Sequence, residues 1–287
     1  MILLDLNQVM ISNLMMQLQN NNDEIEEGMI RHMVLNSIRL YNVKFGEKYG
    51  EMIIACDDKN YWRKNIFPYY KAHRKADREK SPLDWNNIFS ILNKIRDELK
   101  ETFPWKVIQI DTAEADDIIA TLCNRFGKTL KAEDDINILI ISGDKDFAQL
   151  QKYANVEQYS PVTKKWIRIS NPESFLREHI MRGDRGDGVP NFLSADNVIV
   201  TGARQKPLAS KKIEKWIGLD PRDFCNEVML RNYKRNESLV NLDLIPSAIV
   251  NQVNEKYDNY KIPPRSGLLN YFIKNRLKLL MDKIGEF

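Results

Sequence analysis

Three apolar runs in this chain lead directly into aspartates, and that pattern restricts the fold more than any other feature. Asp5 follows Ile2-Leu3-Leu4, and Asp57 follows Ile53-Ile54-Ala55-Cys56. Asp144 and Asp146 follow the run that closes at Ile141, through Ser142-Gly143. Runs this short and this apolar read as strands buried on both faces, the kind found in parallel sheets. The carboxyl ends of parallel strands share one edge, and ligand crevices form there. Aspartates far apart in sequence would then converge.

The rest of the pattern agrees. Strands are expected over 2–6, 52–56, 107–110 and 136–141. Residues 156–159 and 166–169 are expected to pair as a hairpin across 161–165. Helical spacing of apolar residues marks 27–41, 84–103 and 113–126, with Met29, Ile30 and Leu40 on the first stripe and Ile88, Leu92, Ile95 and Leu99 on the second. Residues 19–27 read as a polar loop. Strands alternating with helices predict an α/β fold with a mainly parallel central sheet flanked by helices. Strand signals stop near Asn171, and a smaller helical C-terminal domain is expected over 183–287, after an α/β domain over 1–182.

Composition sets limits on function. At 43% hydrophobic residues the chain can build a core, and its net charge of only +3 hides local segregation of acidic and basic stretches. No run approaches membrane-spanning length, and the start Met-Ile-Leu-Leu-Asp lacks the basic region of an export signal. Cys56, Cys123 and Cys225 form no CxxC pair and read as reduced thiols, which fits the cytoplasm.

Two further acidic segments join the strand-end aspartates. Glu114-Ala115-Asp116-Asp117 opens a helix that should start at the same sheet edge, and Gly183-Asp184-Arg185-Gly186-Asp187 is a glycine-bracketed loop. So many carboxylates in one crevice repel unless cations neutralise them. Hard oxygen donors favour magnesium, with manganese as a substitute. His32, His73 and His179 are scattered, which argues against zinc. Two magnesium ions about 3.5–4 Å apart would activate water and stabilise the leaving oxygen of a phosphodiester. Singly, each aspartate is better explained as a turn former or helix cap, and Glu114 as the partner of an Asp111 cap. The functional reading rests on convergence.

Between the second strand and the long helix, residues 59–80 carry Arg63, Lys64, Lys71, Arg74, Lys75 and Arg78, interleaved with Tyr61, Trp62, Phe67, Tyr69 and Tyr70. If 69–79 is helical, Lys71, Arg74, Lys75 and Arg78 share a face. Cations there can grip phosphates and aromatics such as Tyr70 can stack on an unpaired base. The bland alternative is a solvated charged loop. A second basic stretch holds Arg204, Lys206, Lys211 and Lys212, again with a solvated helix face as the alternative. Residues 271–287 place Phe272, Ile273, Leu277, Leu280 and Ile284 at helical spacing, as core packing.

The order Leu-Leu-Asp5, Cys-Asp57, Glu114-Ala-Asp116-Asp117, Ser-Gly-Asp144-Lys-Asp146 and Gly183-Asp184-x-x-Asp187 resembles the 5′-nuclease, or flap endonuclease, superfamily. Tyr61-Trp62-Arg63, Tyr69-Tyr70-Lys71, Lys165-Trp166, Lys261-Ile262-Pro263-Pro264-Arg265 and Glu286-Phe287 look most like its T-even-phage ribonuclease H branch. The resemblance spans almost the whole chain. It implies that Asp5, Asp57, Asp116 and Asp144 hold one metal, with Glu114 close by. Asp146, Asp184 and Asp187, helped by Asp117, would serve the second. Residues 59–80 would form a basic helical arch, with Lys71 and Arg74 on the scissile phosphate. The implied activity is 5′→3′ removal of RNA primers and adjoining DNA during replication, with cutting of 5′ flaps. Implied partners are RNA·DNA and DNA duplexes with 5′ ends, flaps or forks, a single-stranded-DNA-binding protein and a sliding clamp, with the enzyme a monomer. The family's Pro-Gly-x-Gly turn is absent, since Asn191-Phe192-Leu193-Ser194 stands in its place, which puts a potassium-binding hairpin in doubt.

Two other functions compete. A non-catalytic nucleic-acid binder that kept the fold would gain nothing from acidic groups facing phosphate. A phosphatase using Asp5 as nucleophile would want a second acid two residues on, where Asn7 stands. No G-x-x-x-x-G-K-[ST] loop is present.

Overall fold

The computed structural model describes residues 1–20, 25–130 and 136–287. Among these, strands β1 (Ile2–Asp5), β2 (Met52–Cys56), β3 (Lys106–Gln109), β4 (Ile138–Ile141), β5 (Val156–Ser160) and β6 (Lys165–Ile167) form one sheet in the order β3-β2-β1-β4-β5-β6. All neighbours are parallel except β5 and β6, which form the expected hairpin at one edge. The central strands are buried throughout, and this is why they read as unbroken apolar runs.

Alternate residues of each strand face two cores. Ile2, Leu4, Ile54, Cys56, Leu139 and Ile141 pack on one side against helices α1 (Leu6–Asn20), α2 (Glu27–Tyr49) and α5 (Trp85–Thr102). Leu3, Ile53, Ala55, Ile138 and Ile140 pack on the other against α6 (Ala115–Phe126) and α11 (Ser247–Asp258). Between β2 and α5 lie two short helices, α3 (Arg63–Ile66) and α4 (His73–Glu79). Asp84 caps α5 by accepting from the amides of Asn86 and Asn87 at 3.1 Å, and its apolar stripe is buried as expected. Beyond a 3-10 helix over Lys145–Lys152 come α7 (Pro172–Arg182), α8 (Ser210–Trp216), α9 (Pro221–Phe224) and α10 (Glu227–Val240). The last α-helices are α12 (Leu268–Lys274) and α13 (Lys278–Met281), followed by a 3-10 turn over Ile284–Glu286.

Several expectations need correction. Strand β1 stops at Asp5, and Leu6 instead opens α1, a helix that was not foreseen. Helix α2 runs eight residues past the expected end at Tyr41, and it leaves Met29 and Leu40 exposed. Strand β4 begins at Ile138, with Ile136 exposed outside it. The polar stretch 19–27 is split between the ends of α1 and α2, and its residues 21–24 lie outside the described residues. Helices α7 through α10 share a core around Phe192, Ile213 and Tyr233. Ile249 and Val253 return to the sheet, while Phe272, Leu277, Leu280 and Phe287 fill the core beneath α2 and α5. The C-terminal residues are core packing, as expected, except that Ile273 is exposed.

Candidate active site

The carboxyl edge of the sheet gathers the acidic residues. Asp5 closes β1, and its carboxylate accepts from the amide of Gln8 at 3.1 Å and from Ser142 Oγ at 3.0 Å. Asp57, one residue past β2, accepts from the amide of Ala115 at 2.7 Å and from the side chain of Asn7. The first turn of α6 is thereby held against the end of β2. Asp116 lies on that turn, and Asp144 accepts from the amide of Asp146 at 2.9 Å. Burial pushes the Asp5 carboxyl up to about 6, with Asp57 adding to the effect. Burial also raises Asp57. It holds Asp116 well above the usual range, with further repulsion from Asp144, Glu114 and Asp5. Asp144 is pushed up to about 7 by burial and then by Asp146. The four acids are near enough to oppose one another's ionisation. An all-oxygen, mutually repelling, partly desolvated donor set fits a hard divalent cation.

A second group adjoins the first. Asp146, His179 and Asp184 each offer a ligand atom within 4.8 Å of the others. His179 Nε2 lies 2.7 Å from Asp146 Oδ1 and 3.7 Å from Asp184 Oδ2. Burial opposes protonation of this ring, but the Asp146 hydrogen bond and charge outweigh it and raise its pKa. Nothing near His179 in the chain signals this placement. The three histidines are scattered, yet α7 packs on the 3-10 helix and delivers His179 between two carboxylates. Lys145 Nζ reaches Asp184 Oδ2 at 3.0 Å, and burial notwithstanding, that cation lowers the Asp184 pKa.

The stretch 63–79 clasps the same edge. Lys71 ion-pairs with Glu114 and lies 3.6 Å from Asp187 Oδ1, while Arg74 Nη2 reaches Asp187 Oδ1 at 2.6 Å. Burial disfavours the Lys71 charge, but Asp187 and Glu114 overcome it and hold the amine above the ordinary lysine range. Lys71 is not on a helix face, because α4 begins only at His73. Its φ of 54° is left-handed, and its amide donates to the Asp187 carbonyl at 2.7 Å. This turn aims Lys71 inward, whereas Lys75 points to solvent beside Glu79 and Arg78 lies over the Phe89 ring.

Three assignments to ligands are corrected by burial. Arg63 is 3% exposed and pairs with Glu114 and Asp117 at 2.8 Å while donating to the Leu239 carbonyl, so it is an internal counter-ion and not a nucleic-acid contact. Tyr70 is buried too, with its hydroxyl against Glu114 and Asp187, so its ring is closed to a base. Asp117 is fully buried. It accepts from the Glu114 amide at 2.9 Å, faces Arg63 and takes the Trp62 indole N–H at 3.0 Å, so it anchors α6 and does not face the crevice. The reciprocal cap is thus between Glu114 and Asp117, not Asp111. Lys64, Arg204, Lys206, Lys211 and Lys212 are all exposed.

Residues 1–179 match the model of the 5′-3′ exonuclease N-terminal, resolvase-like domain, and residues 171–287 match that of the C-terminal part of T4 RNase H. The chain is 36% identical over 296 residues to the ribonuclease H of Enterobacteria phage T4, which covers 99% of this chain and 95% of that protein. It is 29% identical to a 5′-3′ exonuclease of Buchnera aphidicola, over 77% of this chain and 76% of the relative. Among solved structures, the T5 D15 protein co-crystallized with metal ions has the same fold, with a TM-score of 0.63 at 14% identity, over 91% of this chain and 99% of that one.

Proposed function

Since the chain belongs to the 5′-3′ exonuclease family and carries the C-terminal part of the T4 RNase H type, we infer how its crevice performs phosphodiester hydrolysis. The protein is a metal-dependent 5′→3′ exonuclease, ribonuclease H and flap endonuclease that removes RNA primers and adjacent DNA during replication. Its substrates are RNA·DNA and DNA duplexes with 5′ ends, flaps or forks. The observation that carries the reading is the group Asp5, Asp57, Asp116 and Asp144, whose burial and mutual repulsion make it a site for a cation.

Those four residues would hold one magnesium ion, and Asp146, Asp184 and Asp187 would serve a second, with His179 fixing the Asp146 carboxylate. Bound magnesium supplies an activated water and charge neutralisation at the phosphate. The chain supplies the rest. Lys71 and Arg74 stand at the mouth of the crevice, paired with Glu114 and Asp187. An incoming phosphate can take over these cations, which then offset the charge that builds on its oxygens. Arg63 neutralises Glu114 and Asp117 from behind, so α6 can present Asp116 without its neighbours' charges unpaired. Exposed Arg204, Lys206, Lys211 and Lys212 would hold duplex through phosphates. The test is to incubate the protein with 5′-labelled nicked, flapped and RNA·DNA duplexes, in magnesium and in EDTA. Cleavage in magnesium alone supports the reading, and absence of cleavage on every substrate defeats it.

A further inference from the structure

A cavity of about 340 Å³ lies outside the acidic crevice, between the segment that precedes Lys71 and helix α10. One wall is aromatic. Tyr69, 36% exposed, stands edge-to-face on Phe67 at a centroid distance of 5.6 Å. The other wall is cationic, formed by Arg231, Lys234 and Arg235. Arg231 and Arg235 share the single carboxylate of Asp196, so the wall keeps surplus positive charge. The Arg235 guanidinium also lies 5.1 Å over the Phe67 ring, which joins the two walls. Lys234 stands exposed at the rim, outside that pairing.

Both walls are tied to the catalytic edge. Tyr69 is two residues before Lys71, so their Cα atoms are at most about 7 Å apart. Phe67 packs with Tyr70, Val189 and Leu239. On the other wall, Asn236 and Arg235 of α10 donate to the Pro190 carbonyl at 2.9 and 3.2 Å, three residues past Asp187. A ligand in the cavity is thus held in register with Lys71 and Asp187.

We propose that this cavity seats one unpaired nucleotide of the strand being cut, with its base on Tyr69 and its phosphate on Lys234 and Arg231. The inference rests on the nuclease reading. A duplex hides its base faces in the stack, so an aromatic wall beside surplus cations is useful only to a single strand. The volume is of the order that one nucleotide fills. The cavity therefore separates flapped from flapless substrates.

The test measures dissociation constants in EDTA, where cleavage is absent, for one nicked duplex with and without a six-thymidine 5′ flap. In the variant Tyr69→Ala/Lys234→Ala, affinity for the flapped duplex should fall about tenfold or more, from the loss of one stack and one phosphate contact. Affinity for the flapless duplex and the melting temperature should stay unchanged. Tyr69→Trp should keep flap affinity, and an abasic flap should make Tyr69→Ala silent while Lys234→Ala still weakens binding. Equal losses on both duplexes, or no loss on the flapped one, overturn the proposal. Cleavage of flapless RNA·DNA by the same variants in magnesium is run alongside. If it is normal while flap affinity is unmoved, the cavity assignment alone has failed. If even the unmodified protein cleaves nothing, the nuclease reading has failed, and the binding data still decide the cavity.

Discussion

Replacing Asp5 by asparagine should stabilise the metal-free protein while crippling it as an enzyme. The Asp5 carboxyl is raised from 3.8 to about 6 in the fold, chiefly by burial. Its folded pKa lies above its unfolded value, so the native state binds more protons between those two pH values. Stability contributed by the protonated acid is complete below about 4 and is lost as pH rises through about 6. Two units at 1.36 kcal/mol each make the ionised group cost the fold about 3 kcal/mol at pH 8. Asp5→Asn removes that charge with little change of shape. The amide oxygen can still accept from the Gln8 amide, and the Ser142 hydroxyl can turn to accept from the new NH2. Thermal melts in EDTA at pH 8 should show a rise of about 6–12 °C, given about 2–4 °C per kcal/mol for chains of this order of size. The gain should shrink as the pH is lowered from about 6 towards 4. Added magnesium should reverse the ranking, since Asp5 is one of the four residues proposed to hold the cation. A variant that is no more stable at pH 8, or whose gain is the same at pH 4.5, refutes the electrostatic argument.

Other substitutions separate structure from chemistry. Arg63→Met should cost about 3–5 kcal/mol in denaturant unfolding, because it leaves Asp117 buried without a counter-ion and Glu114 with Lys71 alone. An Arg63 that faced nucleic acid would leave stability unchanged. Lys71→Ala and Arg74→Ala should lower single-turnover rates at saturating substrate far more than they weaken binding. Affinity lost at an unchanged saturated rate would make them tethers only. Neutralising Arg204, Lys206, Lys211 and Lys212 together should flatten the slope of log affinity against log salt on duplex DNA and leave short single strands little affected. An unchanged slope would place this segment away from the duplex.

The sheet and its acidic edge were legible because burial on both faces writes parallel strands as unbroken apolar runs, and Asp5, Asp57 and Asp144 punctuate them. Helix α1 escaped notice because it continues an apolar strand without a break. Leu6, Val9, Met10 and Leu14 lie at helical spacing on its buried face, but Ile11, Met15 and the exposed Met16 are apolar too, so the stripe is blurred. Roles within the site were harder, for a reason of charge. In sequence an arginine that will meet phosphate looks the same as one that will be buried against carboxylates. Arg63 finds its partners at positions 114 and 117, over fifty residues away, and nothing local announces them. Tyr70 and His179 are of the same kind, since each gains its function only when packing brings a distant aspartate to it. The inward turn of Lys71 depends on the Asp187 carbonyl, and helical spacing could not foresee it.

The most direct test of the account is the single-turnover cleavage rate of Asp144→Asn on a 5′-labelled RNA·DNA duplex as magnesium is titrated, with the melting temperature measured on the same preparation. Asp144 sits where burial and Asp146 push its carboxyl up to about 7, at the centre of the proposed cation site. The rate should be lower by orders of magnitude at every magnesium concentration, with the fold intact and the metal-free protein at least as stable as the unmodified chain. Full turnover by Asp144→Asn, or by the unmodified protein in excess EDTA, would contradict it.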